Sequence, residues 1–225
     1  MVFTMCGRFT LISPLDVILH RFKLVNNGID YVPRYNIAPS QQVLAIISDG
    51  EERRIGRLRW GLVPYWAKDV KLGYKMINAR AETLAEKPSF KRSFQRRRCI
   101  IPADGFYEWR QGPDSKQPVR IRLKSKEPFA FAGLWDRWQS EDGDVVTSCT
   151  IVTTKANELL RDIHHRMPVI LRPQDEAVWL DRTINDTDFL QQLLVPYPTE
   201  QMEVYNVSDV VNSAKNEGPE CIEPV

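Results

Sequence analysis

Strand-like stretches follow one another along most of this chain, and the segments between them are too short to hold crossover helices. "QVLAIISDGEERRIGRLRWGLVP" predicts two strands joined at Asp49-Gly50, and "CIIPADGFYEWR" predicts strand, turn, strand. "QPVRIRLKS", "PFAFAGLW" and "SCTIVTTKA" predict three more by alternation or β-branched content. Parallel pairing requires a connection of about a dozen residues or more. The expected fold is therefore α+β, a curved, mainly antiparallel and barrel-like sheet with a few helices at its margins. One helix is expected over "ISPLDVILHRF", capped by Ser13 with Pro14 in its first turn. A second should begin near Pro88 in "AEKPSFKRSFQRRR", and a third, "NELLRDI", should run out just before His164. With 225 residues, 43% of them hydrophobic, six tryptophans and no linker or repeat, the chain reads as a single domain.

The 31 basic and 29 acidic residues leave a net charge of +2, so a polyanion would have to be held by a local basic surface. Cys6, Cys99, Cys149 and Cys221 are scattered, with no CxxC pair, which suits a reducing cytoplasm. There is no signal peptide and no apolar run near the roughly 20 residues of a membrane helix, so a soluble cytoplasmic protein is expected. Three histidines without HExxH spacing give no metal site, and neither a Walker motif nor GxGxxG occurs, so no metal and no cofactor are expected.

Four segments carry candidate chemistry. "KRSFQRRR" is either a nucleic-acid groove with Phe90 and Phe94 interleaved or a helix with a solvated basic face and both rings inward. In "WGLVPYWAKD", Trp60 and Trp66 are either core residues or a stacking platform for unpaired bases. "DIHHRMP" offers one histidine to a pocket, or merely a helix-end cap. Glu108, flanked by aromatics in "ADGFYEWR", can be desolvated enough to hold a proton near neutral pH, or can point outward from a half-buried strand.

Together with "MCGRF", "RYNIAPSQ", "WGLVPYWAKD", "INARAET", "CIIPADGFYEW", "FAFAGLW", "CTIVTT", "DIHHRMPVIL" and "VNSAKNEGPECIEPV", the chain resembles the SOS-response-associated peptidase (SRAP) family nearly from end to end. The resemblance implies a DNA-damage protein that bonds covalently to abasic sites in single-stranded DNA. It assigns Cys6 as nucleophile, Asn78 as holder of the reacting group, Glu108 as acid/base and His164 as its assistant. Arg8, Trp66, Arg80 and Arg166 become candidates for DNA contacts. The expected partner is abasic single-stranded DNA, with no membrane and no metal, the protein acting as a monomer in the cytoplasm and on the nucleoid when bound to DNA.

An opened abasic deoxyribose is an aldehyde, which an α-amine converts to an imine. An N-terminal cysteine adds a thiol that closes a five-membered thiazolidine on the same carbon. The amine and thiol have ordinary pKa values near ~7.7 and ~8.5, so both are partly reactive at neutral pH. The imine also permits β-elimination, a weak lyase side activity. In the family pattern the cysteine directly follows the initiator methionine, whereas here Met1–Met5 precede Cys6. Two expectations follow: a start at Met5, or removal of the leader by the protein itself, with Cys6 attacking the Met5 carbonyl. The domain expectation is a leader at 1–5 and one SRAP domain over 6–225. Two competing readings are a cysteine peptidase acting on other proteins and a non-catalytic single-stranded nucleic-acid binding module.

Overall fold

The computed structural model describes residues 7–26, 28–48, 50–112 and 115–225. Cys6, the leader before it and Asp49 of the expected hairpin turn lie outside the described residues.

Strand β1 (Phe9–Leu11) leads into helix α1 (Leu15–Phe22), then β2 (Arg34–Ile37), β3 (Gln42–Ser48) and β4 (Arg53–Trp60). A long excursion, folded as loop and 3-10 helix, separates β4 from β5 (Asn78–Arg80). Helix α2 (Pro88–Arg96) precedes five strands: β6 (Arg98–Ala103), β7 (Gly105–Gln111), β8 (Lys116–Leu123), β9 (Phe129–Gln139) and β10 (Val145–Lys155). Short elements complete the chain: β11 (Arg166–Pro168), β12 (Ile170–Leu171), α3 (Glu176–Leu180), α4 (Thr187–Gln191) and β13 (Met202–Asn206).

Five strands close a ring in the order β3, β4, β10, β9, β6 and back to β3. Long antiparallel ladders make most of it, as the short connections require. The exceptions are β4 and β5, which both run parallel to β10. A second antiparallel sheet, β13-β8-β7-β1-β2, packs against the ring through aromatic edges. Phe9 meets Trp60 at 5.2 Å and Phe131 at 5.8 Å, and Phe106 meets Phe131 at 6.0 Å, all edge to face, the arrangement ring quadrupoles favour. The fold is the α+β, barrel-like antiparallel architecture expected from the strand pattern.

Two local expectations fail. Ser13 does not cap α1: its backbone N–H and hydroxyl both go to Asp104, and Pro14 takes the cap position with no side-chain bond. Asp104 also accepts from Thr10 Oγ1 at 2.7 Å and from the Ile12 N–H at 2.6 Å, so a buried carboxylate outcompetes the helix end for Ser13. "NELLRDI" forms turns rather than a helix. The Asn157 amide oxygen accepts the Leu160 N–H as a local cap, and its amide nitrogen is tied to the distant Tyr197 carbonyl.

Candidate active site and nucleic-acid interface

The candidate residues fall on two sheets, one group beside β10 and Glu108 on β7. Asn78 opens β5 opposite Ile151, and Arg80 lies opposite Thr153. The carbonyl just before Asn78, that of Ile77, accepts the Ile151 N–H at 3.1 Å and the Trp60 indole N–H at 2.8 Å. Trp60 is fully buried, so this bond ties β5 to the aromatic seam with Phe9. Arg80 is exposed.

On the other side of β10, Arg166 pairs with Lys155, two positions along from the Thr153 that faces Arg80. Its guanidinium is buried and forks onto the Glu82 carboxylate at 2.6 and 2.9 Å, with a further bond of 2.6 Å to the Thr153 carbonyl. A bidentate fork of this kind fixes both partners. The Arg166 hydrogen bond holds Glu82 below the usual carboxylate range. One residue earlier, His165 returns its carbonyl to the Ala156 N–H, and His164 Nδ1 accepts the Arg166 N–H at 3.1 Å. Burial lowers the His164 pKa from its ordinary value; the Arg166 carbonyl, 3.2 Å from Nδ1, raises it again, and the charges of His165 and Lys116 lower it. The two histidine rings stack at 4.4 Å, tilted by 31°.

On the second sheet, Glu108 lies in β7 opposite Val119 and is only 6% exposed, flanked by Tyr107 and Trp109. β7 also holds the start of β1: the Tyr107 N–H donates to the Arg8 carbonyl, and Phe9 lies opposite Phe106. Cys6, two positions before Arg8, lies outside the described residues. The Arg8 guanidinium is engaged by Asn36 Oδ1 and the Val211 carbonyl, both at 2.8 Å, and by the Asn212 carbonyl at 3.1 Å, and it lies 5.9 Å over Trp109. Trp60 and Trp66 part company: the first is core, the second stands 46% exposed on the excursion before β5.

The structure thus gathers Asn78, Arg80, His164 and Arg166 along β10, places Glu108 on β7 beside the entering chain, and sets Trp66 on an outer loop. Among the described residues no group of three or more His, Cys, Asp or Glu is arranged to hold a metal. Cys99, Cys149 and Cys221 are fully buried, and burial pushes each thiol up. None of these three is a thiolate nucleophile at neutral pH.

Sequence reasoning missed the supports. Asn36 is fully buried and its amide donates to the carbonyls of Val211, Ser213 and Asn216. Glu217 accepts from the N–H groups of Tyr35 and Asn36 and from Arg34. These bonds join "RYN" to "VNSAKNE", two quoted blocks almost the length of the chain apart, and no local spacing could have paired them.

A closed five-stranded ring thus carries the candidate Asn, His and Arg side chains beside β10, and the flanking sheet carries the candidate Glu on β7. The profile of the SOS response associated peptidase (SRAP) family matches residues 5–214, and the chain belongs to that family. It is 56% identical to the abasic site processing protein YoqW of Bacillus subtilis (strain 168), over 97% of this chain and 99% of that protein. It is 35% identical to the abasic site processing protein HMCES of Pongo abelii, over 98% of this chain and 76% of that one. Among solved structures, a Bacteroides thetaiotaomicron protein superposes with a TM-score of 0.85 at 26% identity, over 98% of this chain and 100% of that chain. A phage-related protein of Bordetella bronchiseptica gives 0.70 at 30% identity, over 91% of this chain and 95% of that chain.

Proposed function

We propose that this protein binds single-stranded DNA and bonds covalently to abasic sites through Cys6 once that residue is N-terminal. The observation that carries the reading is the burial of every other cysteine, which leaves Cys6 as the thiol available for chemistry. The names of the relatives, abasic site processing proteins, supply the substrate.

The Cys6 α-amine adds to the C1′ aldehyde of the opened sugar to give a carbinolamine. Glu108 donates a proton to the departing hydroxyl, water leaves, and an imine remains. The thiol then adds to the imine carbon, its proton passing to the imine nitrogen, and the thiazolidine closes. Asn78 holds the reacting group through its amide without changing charge. His164 exchanges a proton with the opened sugar. Arg80 is the exposed cation for a phosphate, and Arg166 shapes the floor through Glu82. Loss of the 3′ phosphate from the imine would give weak lyase activity. Removal of the leader by attack of Cys6 on the Met5 carbonyl, then hydrolysis of the thioester, agrees with the family's peptidase name.

The test is intact mass before and after incubation with a single-stranded oligonucleotide carrying one abasic site. A denaturation-stable adduct on a chain beginning at Cys6, absent in Cys6→Ala, is expected. A chain started at Met5, with its methionine removed and still giving no adduct, would overturn the reading.

A further inference from the structure

The excursion between β4 and β5 crosses the outer face of the ring, and the register shows what it crosses. Arg59 of β4, Ser148 of β10 and Asp136 of β9 are lateral neighbours in one row. The Val63 N–H bonds to Ser148 Oγ at 2.8 Å and the Tyr65 N–H to Asp136 Oδ2 at 2.9 Å, so the loop is stapled along the row. Asp136, nearly fully buried, also pairs with Arg97 just after α2, which locks the loop to the helix end. Gly61 and Gly73 close the excursion: a Cβ on either would come within 2.7 Å of a backbone oxygen of the other.

That stapling presents a row of exposed rings with cations beside them. Arg92 of α2 lies 4.4 Å over the half-exposed Tyr65, and Arg59 lies 5.1 Å over Tyr74 at the other end of the row. Trp66 stands between them in sequence. The helix splits as its periodicity dictates: Phe90 and Phe94 pack inward while Lys91, Arg92 and Arg96 are exposed. Elsewhere arginines pair with carboxylates, as in Arg21–Glu176, Arg122–Glu203 and Arg166–Glu82. Among the described residues Arg59, Lys91, Arg92 and Arg96 make no ion pair. A guanidinium held flat on a ring keeps its edge donors free for a phosphate, and exposed rings accept bases by stacking. Ser148, which anchors the loop, stands three residues before the partner of Asn78 on β10, about 10 Å along the strand.

We propose that the outer face of α2, joined to the excursion where Arg92 lies over Tyr65, extends the DNA contact expected at Trp66 and grips the phosphates of single-stranded DNA continuing beyond the abasic pocket. This rests on reading the site as an abasic-DNA site, and it gives the protein a footprint longer than the lesion itself.

The experiment compares the native protein with Lys91→Ala/Arg92→Ala/Arg96→Ala on a long abasic oligonucleotide and on one ending a few nucleotides from the lesion. Affinity on the long strand should fall, and its log-log salt slope should lessen by roughly 0.7 per lost contact, or about 2 for the triple variant. Adduct yield on the short strand should not change. Equal affinity and slope on the long strand would overturn the surface while leaving the abasic reading intact. The same loss per charge in Lys124→Ala/Arg172→Ala, on another face, would overturn it too, since net charge would then suffice. Weakened binding of the triple variant, with no adduct from either protein, would uphold the surface and sink the abasic reading instead. Lys91→Gln/Arg96→Gln reads the same quantities if the triple variant does not fold.

Discussion

The Trp60 indole N–H donates to the Ile77 carbonyl at 2.8 Å, and the same indole takes the edge of Phe9 at 5.2 Å. One fully buried ring thus links the strand that begins with Asn78 to the strand entered from Cys6.

Trp60→Phe removes the donor and leaves space in the seam. Ile77 keeps its bond from Ile151, so the carbonyl is not orphaned. The expected cost is about 1–3 kcal/mol. A chain this size loses about 2–4 °C of Tm per kcal/mol, which scanning calorimetry resolves. A melting curve identical to the native one would show that the indole bond anchors nothing.

Glu82→Gln tests the fork beneath Arg166. The folded pKa of Glu82 lies below its ordinary 4.5, because the Arg166 hydrogen bond favours the carboxylate. The native advantage is therefore present above that value and fades as pH falls through the lowered one. Denaturant midpoints of native and Glu82→Gln proteins should differ at neutral pH and converge in acid. The side chain is 43% exposed, so the gap will be modest. A gap that persists unchanged at acid pH would rule out the ionic contribution.

Burial holds His164 below its ordinary 6.5, and the neighbouring charge of His165 adds to the effect. In the unfolded chain the ring takes up its proton first, so this residue lowers stability as pH drops below about 6.5. At neutral pH the ring is therefore held in its neutral form. His165→Ala should move the His164 midpoint upward, read as the imidazole chemical shift in an NMR titration. A downward or unchanged midpoint would contradict the stacked-pair coupling.

Asn36→Ala strips the donor from the carbonyls of Val211, Ser213 and Asn216 and the acceptor from Arg8. Unpaired buried groups cost about 1–3 kcal/mol. Amide exchange should speed up selectively over residues 211–217, with the ring strands still protected. Uniform loss of protection would mean that Asn36 supports the whole fold rather than the closing segment.

Much of this was legible locally. Hairpins, alternating strands and both the Pro14 and Pro88 helix starts are short-range signals, and each appears as an element. Phe90 and Phe94 turned inward as a 3.6-residue period requires. What stayed hidden depends on partners far away in sequence. Ser13 looked like a cap because Asp104 cannot be seen from its neighbours, and Asn157 looked like a helix start because Tyr197 cannot. The site residues came from family blocks, whereas their supports, Trp60, Glu82, Asn36 and Glu217, emerged only from tertiary contacts. Trp60 and Trp66 share one motif, and nothing in its composition says which faces inward.

β4 and β5 occupy a single lane of the ring. Trp60 lies opposite Cys149 and Asn78 opposite Ile151, so Ile77 stands where Gly61 would have continued the strand. The barrel in effect contains one strand cut in two, with residues 61–76 spliced into the cut and pinched shut at Gly61 and Gly73. Such a splice lies outside the ladder, whose register is set by the pairs on either side of the cut. On the DNA reading proposed above, the rings that set reach along the strand lie inside the splice, and the candidate residues of the chemistry lie outside it.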